Sequence, residues 1–241
     1  MSDKIIIVSG GTGNLGKAVV DRLSAQECKI YLPVRDVAKF RKMYDNSSDE
    51  SAEYTSRKVY AMECDLKSFE KINKFVDTVA TLEQGRIDAV LNIAGGIHPP
   101  KAITEIDENF FDEYFKLNFE SSMYLSVCAL KYMRKNMYGR IVLTGAIAGL
   151  EPVKEKFVYS VSKAALINLM ESINLEMKDY NIRCNMIVPS VLDTSENRSW
   201  ATEDEIKNFV STSEVAEIIS DIISDKYNSL NQSILKITGN Y

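Results

Sequence analysis

A glycine-rich turn close to the start of the chain constrains the fold most. The segment 9–16 reads Ser-Gly-Gly-Thr-Gly-Asn-Leu-Gly and follows the apolar, β-branched segment 4–8, which predicts a buried parallel strand. Apolar residues at helical spacing over 17–26 predict a helix directly after the turn. In this order of elements, glycines let the backbone approach a diphosphate and the helix offers free N–H groups. We therefore expect a dinucleotide site, the alternative being a tight turn that binds no ligand.

Strand-like and helix-like segments alternate along the whole chain. The predicted strands lie near residues 4–9, 29–34, 58–64, 88–92, 139–144, 182–188 and 233–238. This alternation predicts an α/β fold, and we expect a single doubly wound Rossmann domain over residues 1–241, with a seven-stranded parallel sheet and helices on both faces. The carboxyl ends of the strands then share one rim, where ligands bind. The polar stretch 46–51 is predicted to be a surface loop.

Composition narrows the classes of function. The 241 residues are 45% hydrophobic and carry a net charge of −5, with the basic residues scattered. These values favour a compact core and argue against a basic stripe for nucleic acid or a polybasic patch for membranes. The sequence shows no signal-peptide pattern and no apolar stretch of roughly 20 residues. We expect a cytoplasmic protein that binds neither nucleic acid nor membrane.

Cysteine and histidine usage argues against metal centres and disulfides. The four cysteines are far apart and lie mostly in apolar strand or helix contexts, which predicts reduced core thiols. His98 is the only histidine, so we predict no metal site. The loop-like segments 98–100 and 195–209 are expected to face a substrate, but their residues do not identify it.

Tyr159 and Lys163 are the strongest candidates for catalytic residues. They lie four positions apart, so on a helix they share a face. An ammonium a few ångströms away favours the phenolate and lowers the tyrosine pKa from its usual value of about 10. Tyr159 would then donate a proton to a carbonyl oxygen or an imine-like nitrogen. The alternative is a core tyrosine beside a solvated lysine, and the glycine turn favours the catalytic interpretation.

Further segments in matching order and spacing resemble the short-chain dehydrogenase/reductase family, from the first predicted strand to the end of the chain. Asp65 resembles the family's adenine-contacting acid, and the segment 92–96 resembles its Asn-Asn-Ala-Gly motif, with Ile93 in place of the second asparagine. Asn118 matches the asparagine that holds a proton-relay water near the lysine. The segment 189–194 resembles the stretch that covers the nicotinamide.

This resemblance implies an NAD(P)-dependent enzyme and assigns its site. The implied catalytic residues are Tyr159, Lys163 and Asn118, with Lys163 lowering the tyrosine pKa and holding the nicotinamide ribose. The implied cofactor-binding residues are Gly10, Thr12, Gly13, Asn14, Leu15, Gly16, Arg35, Asp65, Leu66, Asn92, Ala94, Gly95, Tyr159, Lys163, Pro189, Val191 and Thr194. The resemblance also implies a homodimer or homotetramer through helices at 110–135 and 159–180, although packing on the protein's own sheet explains the same apolar stripes.

One departure from the family pattern concerns the substrate. The family usually carries a serine thirteen residues before the tyrosine, where it hydrogen-bonds the substrate carbonyl, and this chain has Ala146. Thr144 leaves the same face of the strand but lies about 6.5–7 Å further along it, which makes it a poor substitute. Loss of one preorganised donor costs on the order of a hundredfold or more in rate when a substrate needs it. We expect Thr144, Ala146 and His98 to face the substrate.

Two branches of the family share local motifs with the chain. The segments 10–16 and 143–146 resemble dihydropteridine reductase, whose serine-less site reduces a reactive quinonoid ring. Asn118 instead resembles carbonyl reductases of the 3-oxoacyl-ACP reductase type, and Ile97 stands where the pterin enzymes carry a tryptophan. We expect a reductase of a small carbonyl or quinonoid, pterin-like substrate. The alternatives are a general carbonyl reductase or alcohol dehydrogenase, and a non-catalytic dinucleotide sensor that lost the serine.

The residues after the second strand predict the choice of cofactor. An acid there binds the ribose hydroxyls, whereas an arginine accommodates a 2′-phosphate. Arg35 falls where family members that prefer the phosphorylated cofactor carry their arginine, so NADP(H) is favoured over NAD(H). Asp36 is expected to cap the helix that begins near residue 37, with ribose binding as its alternative role. Arg35 has its own alternative as a solvated surface arginine.

Overall fold

The computed structural model describes residues 3–44 and 58–239. Its strands are β1 Lys4–Ser9, β2 Cys28–Val34, β3 Val59–Glu63, β4 Ala89–Asn92, β5 Gly139–Thr144, β6 Ile182–Pro189, β7 Leu192–Asp193, β8 Val210–Ser211 and β9 Ile234–Ile237. Its helices are α1 Asn14–Ser24, α2 Val37–Tyr44, α3 Phe69–Leu82, α4 Glu108–Phe115, α5 Ser121–Asn136, α6 Ile147–Leu150, α7 Phe157–Met177, α8 Ser195–Arg198, α9 Glu203–Ile206 and α10 Thr212–Ile222. A π-helical turn spans Lys116–Glu120, and short 3₁₀ turns span Ile103–Glu105, Lys178–Tyr180 and Asp225–Tyr227.

Seven strands form one parallel sheet in the order β3-β2-β1-β4-β5-β6-β9. The order reverses between β1 and β4, which opens a crevice at the carboxyl ends of these strands. The predicted α/β class and the positions of its seven strands are confirmed. The two short strands β7 and β8 pair with each other outside this sheet. The assignment of the whole chain to one domain stays a prediction.

The sheet is buried on both faces. Along β1, Ile5 and Ile7 point into one apolar cluster, while Ile6 and Val8 point into the other, as the alternation of side chains on a strand requires. The first cluster includes buried residues of α3, α5 and α7, and the second includes those of α1, α2 and α10. Helices therefore cover both faces, as predicted.

The first helix begins earlier than its apolar spacing predicts. We expected residues 17–26, whereas α1 begins at Asn14, inside the glycine motif, and ends at Ser24. Gly13 precedes the helix with an extended backbone, and its carbonyl accepts the first helical bond, from the Lys17 nitrogen at 2.8 Å. The glycine motif therefore forms the first turn of the helix as well as the loop before it.

A wide turn interrupts the long helix predicted at 110–135. Asp107 caps α4 by accepting a hydrogen bond from the Phe110 nitrogen at 2.9 Å. The chain then passes through the π-helical turn at 116–120, which contains Asn118, before α5 begins. Such turns insert one extra residue into a helix and occur frequently at functional sites. Apolar spacing alone does not reveal the insertion, because the stripe resumes in α5.

The described residues also bear on the cysteines and on membrane contact. All four cysteines are buried and free, as predicted for core thiols. Burial raises the pKa of the Cys28 and Cys64 thiols to about 11. No helix within 3–44 and 58–239 has both the length and the apolar character to cross a bilayer. The surface loop predicted at 46–51 lies outside the described residues.

Candidate active site

The glycine turn brings the end of β1 against the end of β4. Gly10 has a φ of 70°, a left-handed backbone conformation that favours glycine. A Cβ atom at Gly10 would lie 2.8 Å from the backbone nitrogen of Ala94. A Cβ atom at Gly16 would overlap the carbonyl oxygen of Gly10. Both positions therefore require glycine for the backbone to take this path.

Two hydroxyl groups that the sequence analysis missed hold the turn in place. The Ser9 hydroxyl is buried and accepts hydrogen bonds from the backbone nitrogens of Ile93 at 3.1 Å and Ala94 at 3.2 Å. The Tyr44 hydroxyl donates to the carbonyl oxygen of Gly11 at 2.6 Å. Ser9 had a sequence signal, since it ends a buried strand directly before the glycines. Tyr44 had none, because it reaches the turn from the far end of α2.

The start of α1 suits an anionic ligand. No side chain caps this helix, because Gly13 occupies the capping position. The N–H groups of its first turn therefore have no capping partner, and the helix dipole adds partial positive charge there. The diphosphate of a dinucleotide fits this end of the helix, with Thr12 and Leu15 as the neighbouring predicted contacts.

The end of β2 shows the predicted capping role of Asp36. The Asp36 carboxylate accepts a hydrogen bond from the Lys39 nitrogen at 2.9 Å, so it caps α2 as expected. Arg35 is exposed just beyond the strand. The helix that Asp36 caps carries further basic residues, Lys39, Arg41 and Lys42. Arg35 is thus the basic residue directly at the end of the strand, and its contact with an adenosine ribose stays a prediction.

Asp65 and Leu66 follow β3, at the same rim of the sheet. Asp65 is half-buried, and its carboxylate accepts a hydrogen bond from the Lys67 nitrogen at 3.0 Å. Leu66 is half-buried and packs against the first apolar cluster. The structure therefore places both residues at the rim of the sheet. Their cofactor contacts stay predictions.

Three buried polar atoms at the rim have no hydrogen-bond partner among the described residues. They are Asn92 Oδ1 at the end of β4, Thr144 Oγ1 at the end of β5 and Ser190 Oγ just after β6. These strands are neighbours in the sheet. Unpaired buried polar atoms are rare and costly, so three of them along one edge indicate a place that binds a polar ligand or water. The edge fits the predicted nicotinamide end of the cofactor.

The predicted cover of this edge begins at Pro189, the last residue of β6. The Val191 carbonyl accepts a hydrogen bond from the Val210 nitrogen at 2.8 Å, which ties the cover to β8. The Thr194 hydroxyl accepts one from the Asn197 nitrogen at 3.1 Å and so caps α8. Pro189, Val191 and Thr194 therefore lie in one short segment, which hydrogen bonds to β8 and α8 hold in place.

The lid segment 195–209 reaches back to the glycine turn. The Asn14 amide donates a hydrogen bond to the Glu196 carboxylate at 2.7 Å, so α8 meets the first residue of α1. Within the lid, the Trp200 and Phe209 rings lie with centroids 5.9 Å apart, and Trp200 is 59% exposed. An exposed aromatic ring on a lid fits the predicted substrate-facing role.

The structure brings the predicted catalytic residues together. Lys163 is 4% exposed, and its ammonium donates a hydrogen bond to the carbonyl oxygen of Thr144 at 2.8 Å. The Tyr159 ring centroid lies 5.9 Å from the Lys163 Nζ atom. A Cβ atom at Gly95 would lie 2.8 Å from Asn118 Oδ1 and 3.2 Å from Lys163 Nζ. Gly95 therefore permits the close approach of the lysine and the asparagine.

Asn118 is fixed by the wide turn that contains it. Its Oδ1 atom accepts from the Gly96 nitrogen at 2.9 Å, and its Nδ2 atom donates to the carbonyls of Gly96 at 2.9 Å and Tyr114 at 3.0 Å. The buried amide thus joins the segment after β4 to α4. This arrangement holds Asn118 beside Lys163, while its part in a proton relay stays a prediction.

The electrostatics of Tyr159 and Lys163 differ from our expectation. We predicted that the lysine lowers the tyrosine pKa, but burial raises the pKa of Tyr159 to about 12. Burial also lowers the pKa of Lys163 to about 8. The prediction was wrong for the protein alone because the loss of water around each group outweighs the attraction between them. Tyr159 is therefore firmly protonated near neutral pH, and Lys163 is close to its own titration.

Ala146, at the position of the missing serine, lies between β5 and α6. Ala146 precedes α6 with an extended backbone and offers no hydroxyl. The Thr144 hydroxyl oxygen is buried without a hydrogen-bond partner among the described residues, and the Thr144 carbonyl accepts the hydrogen bond from Lys163. A contact of Thr144 or Ala146 with a substrate stays a prediction. Sequence reasoning anticipated the weak substitute but not the contact with Lys163.

His98 does not face a substrate, contrary to our expectation. It is 1% exposed, and its ring lies against the rings of Phe110 and Tyr114 at centroid distances of 5.0 Å and 5.2 Å. The prediction was wrong because the segment 98–100, although it reads as a surface loop, carries its histidine inward under α4 and α7. An isolated histidine beside two prolines gives no sequence signal for this burial.

Comparison with known proteins agrees with this geometry. The family model for short chain dehydrogenases matches residues 4–205. A 7alpha-hydroxysteroid dehydrogenase of Bacteroides fragilis is 30% identical over 210 residues, which cover 86% of this chain and 79% of that protein. A tropinone reductase homologue of Arabidopsis thaliana is 25% identical over 205 residues, which cover 85% of this chain and 74% of that protein.

Solved structures share the fold. ElxO with NADP bound matches with a TM-score of 0.87 at 21% identity, over 98% of this chain and 97% of that one. NAD⁺-bound xylitol dehydrogenase matches with a TM-score of 0.86 at 21% identity, over 99% of each chain. The family model spans most of the chain and the match to the steroid dehydrogenase covers more than two thirds of each protein, so the chain belongs to the short-chain dehydrogenase/reductase family of NAD(P)-dependent oxidoreductases.

Proposed function

We propose that the protein reduces a carbonyl or quinonoid substrate, with NADPH as the hydride donor and Tyr159 as the proton donor. The observation that carries this proposal is the close approach of the buried Lys163 and Asn118 side chains at Gly95, with the ring centroid of the half-buried Tyr159 5.9 Å from the lysine Nζ atom. A protein that only sensed a dinucleotide would need the glycine turn and the residues of the adenine site. It would not need a protonated tyrosine beside a buried lysine.

The residues proposed to hold the cofactor lie along one rim of the sheet. The turn at 10–16 and the start of α1 would bind the diphosphate, Asp65 and Leu66 the adenine, and the rim near Asn92 the nicotinamide end. Solved neighbours contain NADP in one case and NAD⁺ in another. Arg35 and the basic residues of α2 favour NADP(H), since they offer positive charge to a 2′-phosphate. When bound, NADPH supplies the hydride.

The pKa values of Tyr159 and Lys163 indicate how the proton reaches the substrate. Tyr159, with a pKa of about 12, holds its proton until the substrate oxygen or nitrogen gains negative charge. The tyrosine O–H bond then breaks as the substrate O–H or N–H bond forms. Lys163, with a pKa of about 8, returns a proton to the tyrosine. Asn118 is proposed to support this proton transfer from Lys163 to Tyr159 by holding its amide beside the lysine.

Ala146 sets the substrate class. Without a hydroxyl at this position to stabilise charge on the substrate oxygen, the enzyme should reduce ordinary ketones slowly. A quinonoid ring is reactive enough to be reduced without this hydroxyl. The small side chain also leaves room for a flat ring. A specific observation favours a second candidate, an alcohol or ketone oxidoreductase, because the relative from Bacteroides fragilis acts on a hydroxysteroid.

The decisive experiment measures NADPH oxidation on a panel that contains ketones, a 3-oxoacyl thioester, quinones and quinonoid dihydropterin. Turnover of the quinonoid substrates above all others supports the first candidate. Efficient reduction of a ketone or thioester with negligible turnover of dihydropterin supports the second. Absence of turnover on every member, with NADPH still bound, would contradict the reductase and favour the sensor.

We also propose that the protein assembles as a homodimer or homotetramer in the cytoplasm. Val127 of α5 is 42% exposed and Leu175 of α7 is 73% exposed, and both lie on the helices expected at the interface. Burial of such side chains between subunits is favourable. Light scattering in solution measures the assembly, and a monomer at all concentrations would contradict it.

A further inference from the structure

His98 is a buried polar side chain that the proposed reaction does not use. Its Nδ1 atom lies 2.6 Å from the carbonyl oxygen of Pro99, and its Nε2 atom lies 3.3 Å from the backbone nitrogen of Tyr159. The His98 carbonyl oxygen accepts a hydrogen bond from the Lys156 ammonium. The histidine therefore contacts the start of the catalytic helix through both its ring and its backbone.

The start of α7 explains why this contact matters. The helix begins at Phe157 and carries Tyr159 in its first turn, where backbone N–H groups have no partner within the helix. A serine, threonine or aspartate before the helix usually accepts one of these bonds. Here Lys156 occupies that position, and its side chain makes no capping bond. The His98 imidazole accepts the Tyr159 N–H in its place.

The other side of the imidazole reaches the second catalytic element. The His98 ring lies against Tyr114 in α4, and the Tyr114 carbonyl accepts the hydrogen bond from the Asn118 amide. The same amide bonds to Gly96, two residues before the histidine. The His98 ring thus contacts both the backbone of Tyr159 and the ring of Tyr114, the residue whose carbonyl holds Asn118.

We propose that His98 is a positioning residue that caps α7 with a neutral imidazole and thereby sets the location of Tyr159 relative to Asn118 and Lys163. This inference rests on the proposed reductase function. The two contacts determine the tautomer: Nδ1 carries the proton and donates to Pro99, and Nε2 carries the lone pair that accepts from Tyr159. Neither the other tautomer nor the charged ring satisfies both.

The tautomer gives a test that needs no substrate. His98 is the only histidine of the chain, so its ring nitrogens give the only imidazole signals in ¹⁵N NMR of the untagged protein. At pH 8, where an ordinary histidine is neutral, we expect the Nδ1–H form. A spectrum of the Nε2–H form would overturn the proposal even if the protein is a reductase.

Two variants separate positioning from simple packing. The oxygen of His98→Gln lies as many bonds from the backbone as Nε2 and restores the acceptor. The side chain of His98→Asn ends at the level of Nδ1 and does not. With NADPH and the best substrate of the panel, we expect His98→Gln to keep kcat within about threefold of the wild type and His98→Asn to lose roughly tenfold, the equivalent of one capping bond. The Kd for NADPH should change less than about twofold in both, because the Lys163 bond to Thr144 and the Ser9 bonds that hold the glycine turn do not involve His98.

The outcomes are distinct. Equal kcat for the two variants, or a parallel loss of NADPH binding, would reduce His98 to a packing residue and overturn the proposal. If His98→Asn does not fold, the tautomer and the kcat of His98→Gln decide alone, and a tenfold loss in His98→Gln would contradict the capping role. Failure of the reductase itself appears separately, as absence of turnover by the wild type on every member of the panel, and the tautomer measurement then still tests the capping contact.

Discussion

Lys163 donates its hydrogen bond to the backbone carbonyl of Thr144 at 2.8 Å, and among the described residues no carboxylate forms an ion pair with it. A buried ammonium without a counter-charge is costly, and this cost appears as the lowered pKa of the lysine, about 8. The residue that the proposed chemistry needs most is therefore one that weakens the folded state at neutral pH.

Lys163→Met should stabilise the protein at pH 7 while abolishing reduction. The pKa of Lys163 falls from 10.5 to about 8 on folding, so the buried ammonium destabilises the wild type by about 3 kcal/mol at pH 7. The variant is relieved of this cost but loses the hydrogen bond to Thr144, which offsets roughly 1 kcal/mol of the gain. Because the folded pKa is depressed, wild-type stability rises with pH between about 8 and 10.5, and the advantage of the variant should shrink there. Urea unfolding at pH 7 and pH 10 measures this, with the exposed Lys39→Met as a control. A less stable Lys163→Met at pH 7 would contradict it.

Tyr159→Phe should lower kcat at least about a hundredfold and leave the Kd for NADPH within about twofold, since the ring keeps its packing and loses only the proton. In the wild type, reduction should decline as pH rises through about 8, where Lys163 loses the proton that it returns to the tyrosine. Stopped-flow turnover from pH 6 to 10, beside cofactor titration, tests both. Unchanged activity in Tyr159→Phe would make the tyrosine a core residue.

Arg35→Ala should narrow the preference for NADPH over NADH by weakening NADPH alone. A charge-assisted contact with a 2′-phosphate is worth about 1.5–3 kcal/mol, or roughly tenfold to a hundredfold in Kd. Titration of both cofactors provides the measurement, and Arg22→Ala, on the distant end of α1, provides the matched control. Equal affinities of the wild type for the two cofactors would remove Arg35 from this role.

Ala146→Ser should affect the two substrate classes unequally. A hydroxyl at the substrate oxygen accelerates only reactions whose transition state develops unstabilised charge there, so ketones and thioesters should gain roughly tenfold or more in kcat/KM. A quinonoid dihydropterin should gain little, or lose if the hydroxyl crowds its ring. The two classes serve as controls for each other. A uniform change across all substrates would indicate altered folding rather than chemistry.

Glu196→Gln should tighten NADPH binding roughly twofold to fivefold, an effect of the size seen for exposed charges. The Glu196 carboxylate bonds to Asn14 at the start of α1, where the diphosphate is proposed to bind, so its charge repels the ligand. The gain should fade at high salt, because the Glu196 carboxylate is exposed to solvent. Glu203→Gln, elsewhere on the lid, is the matched control. Weaker NADPH binding in Glu196→Gln would show that the lid contact matters more than the charge.

The sequence predicted the sheet and the strand ends well, because β-branched runs and glycine turns are local signals. It also placed Asp36 as a cap and Tyr159 beside Lys163. It did not predict the pKa values of that pair, since these depend on how much water the whole fold removes. Tyr44 and His98 were missed or misplaced for a related reason: each acts on a segment far from it in the chain, and no spacing pattern records such a contact.

The number of residues in the wide turn at 116–120 determines how the side chains of α4 and α5 are oriented relative to each other. In an α-helix each residue advances the direction of side chains by about 100°, so one inserted residue rotates everything after it by that angle. Here the insertion lets α4 direct Tyr114 toward the site while α5 directs Leu125 and Cys128 into the core. A chain one residue shorter in this turn would form a more regular helix. The side-chain directions of α4 and α5 would then follow one continuous helical rotation. Either Leu125 and Cys128 would then point away from the core, or Tyr114 would point away from the site. The irregular turn therefore allows one helical segment to contribute to both.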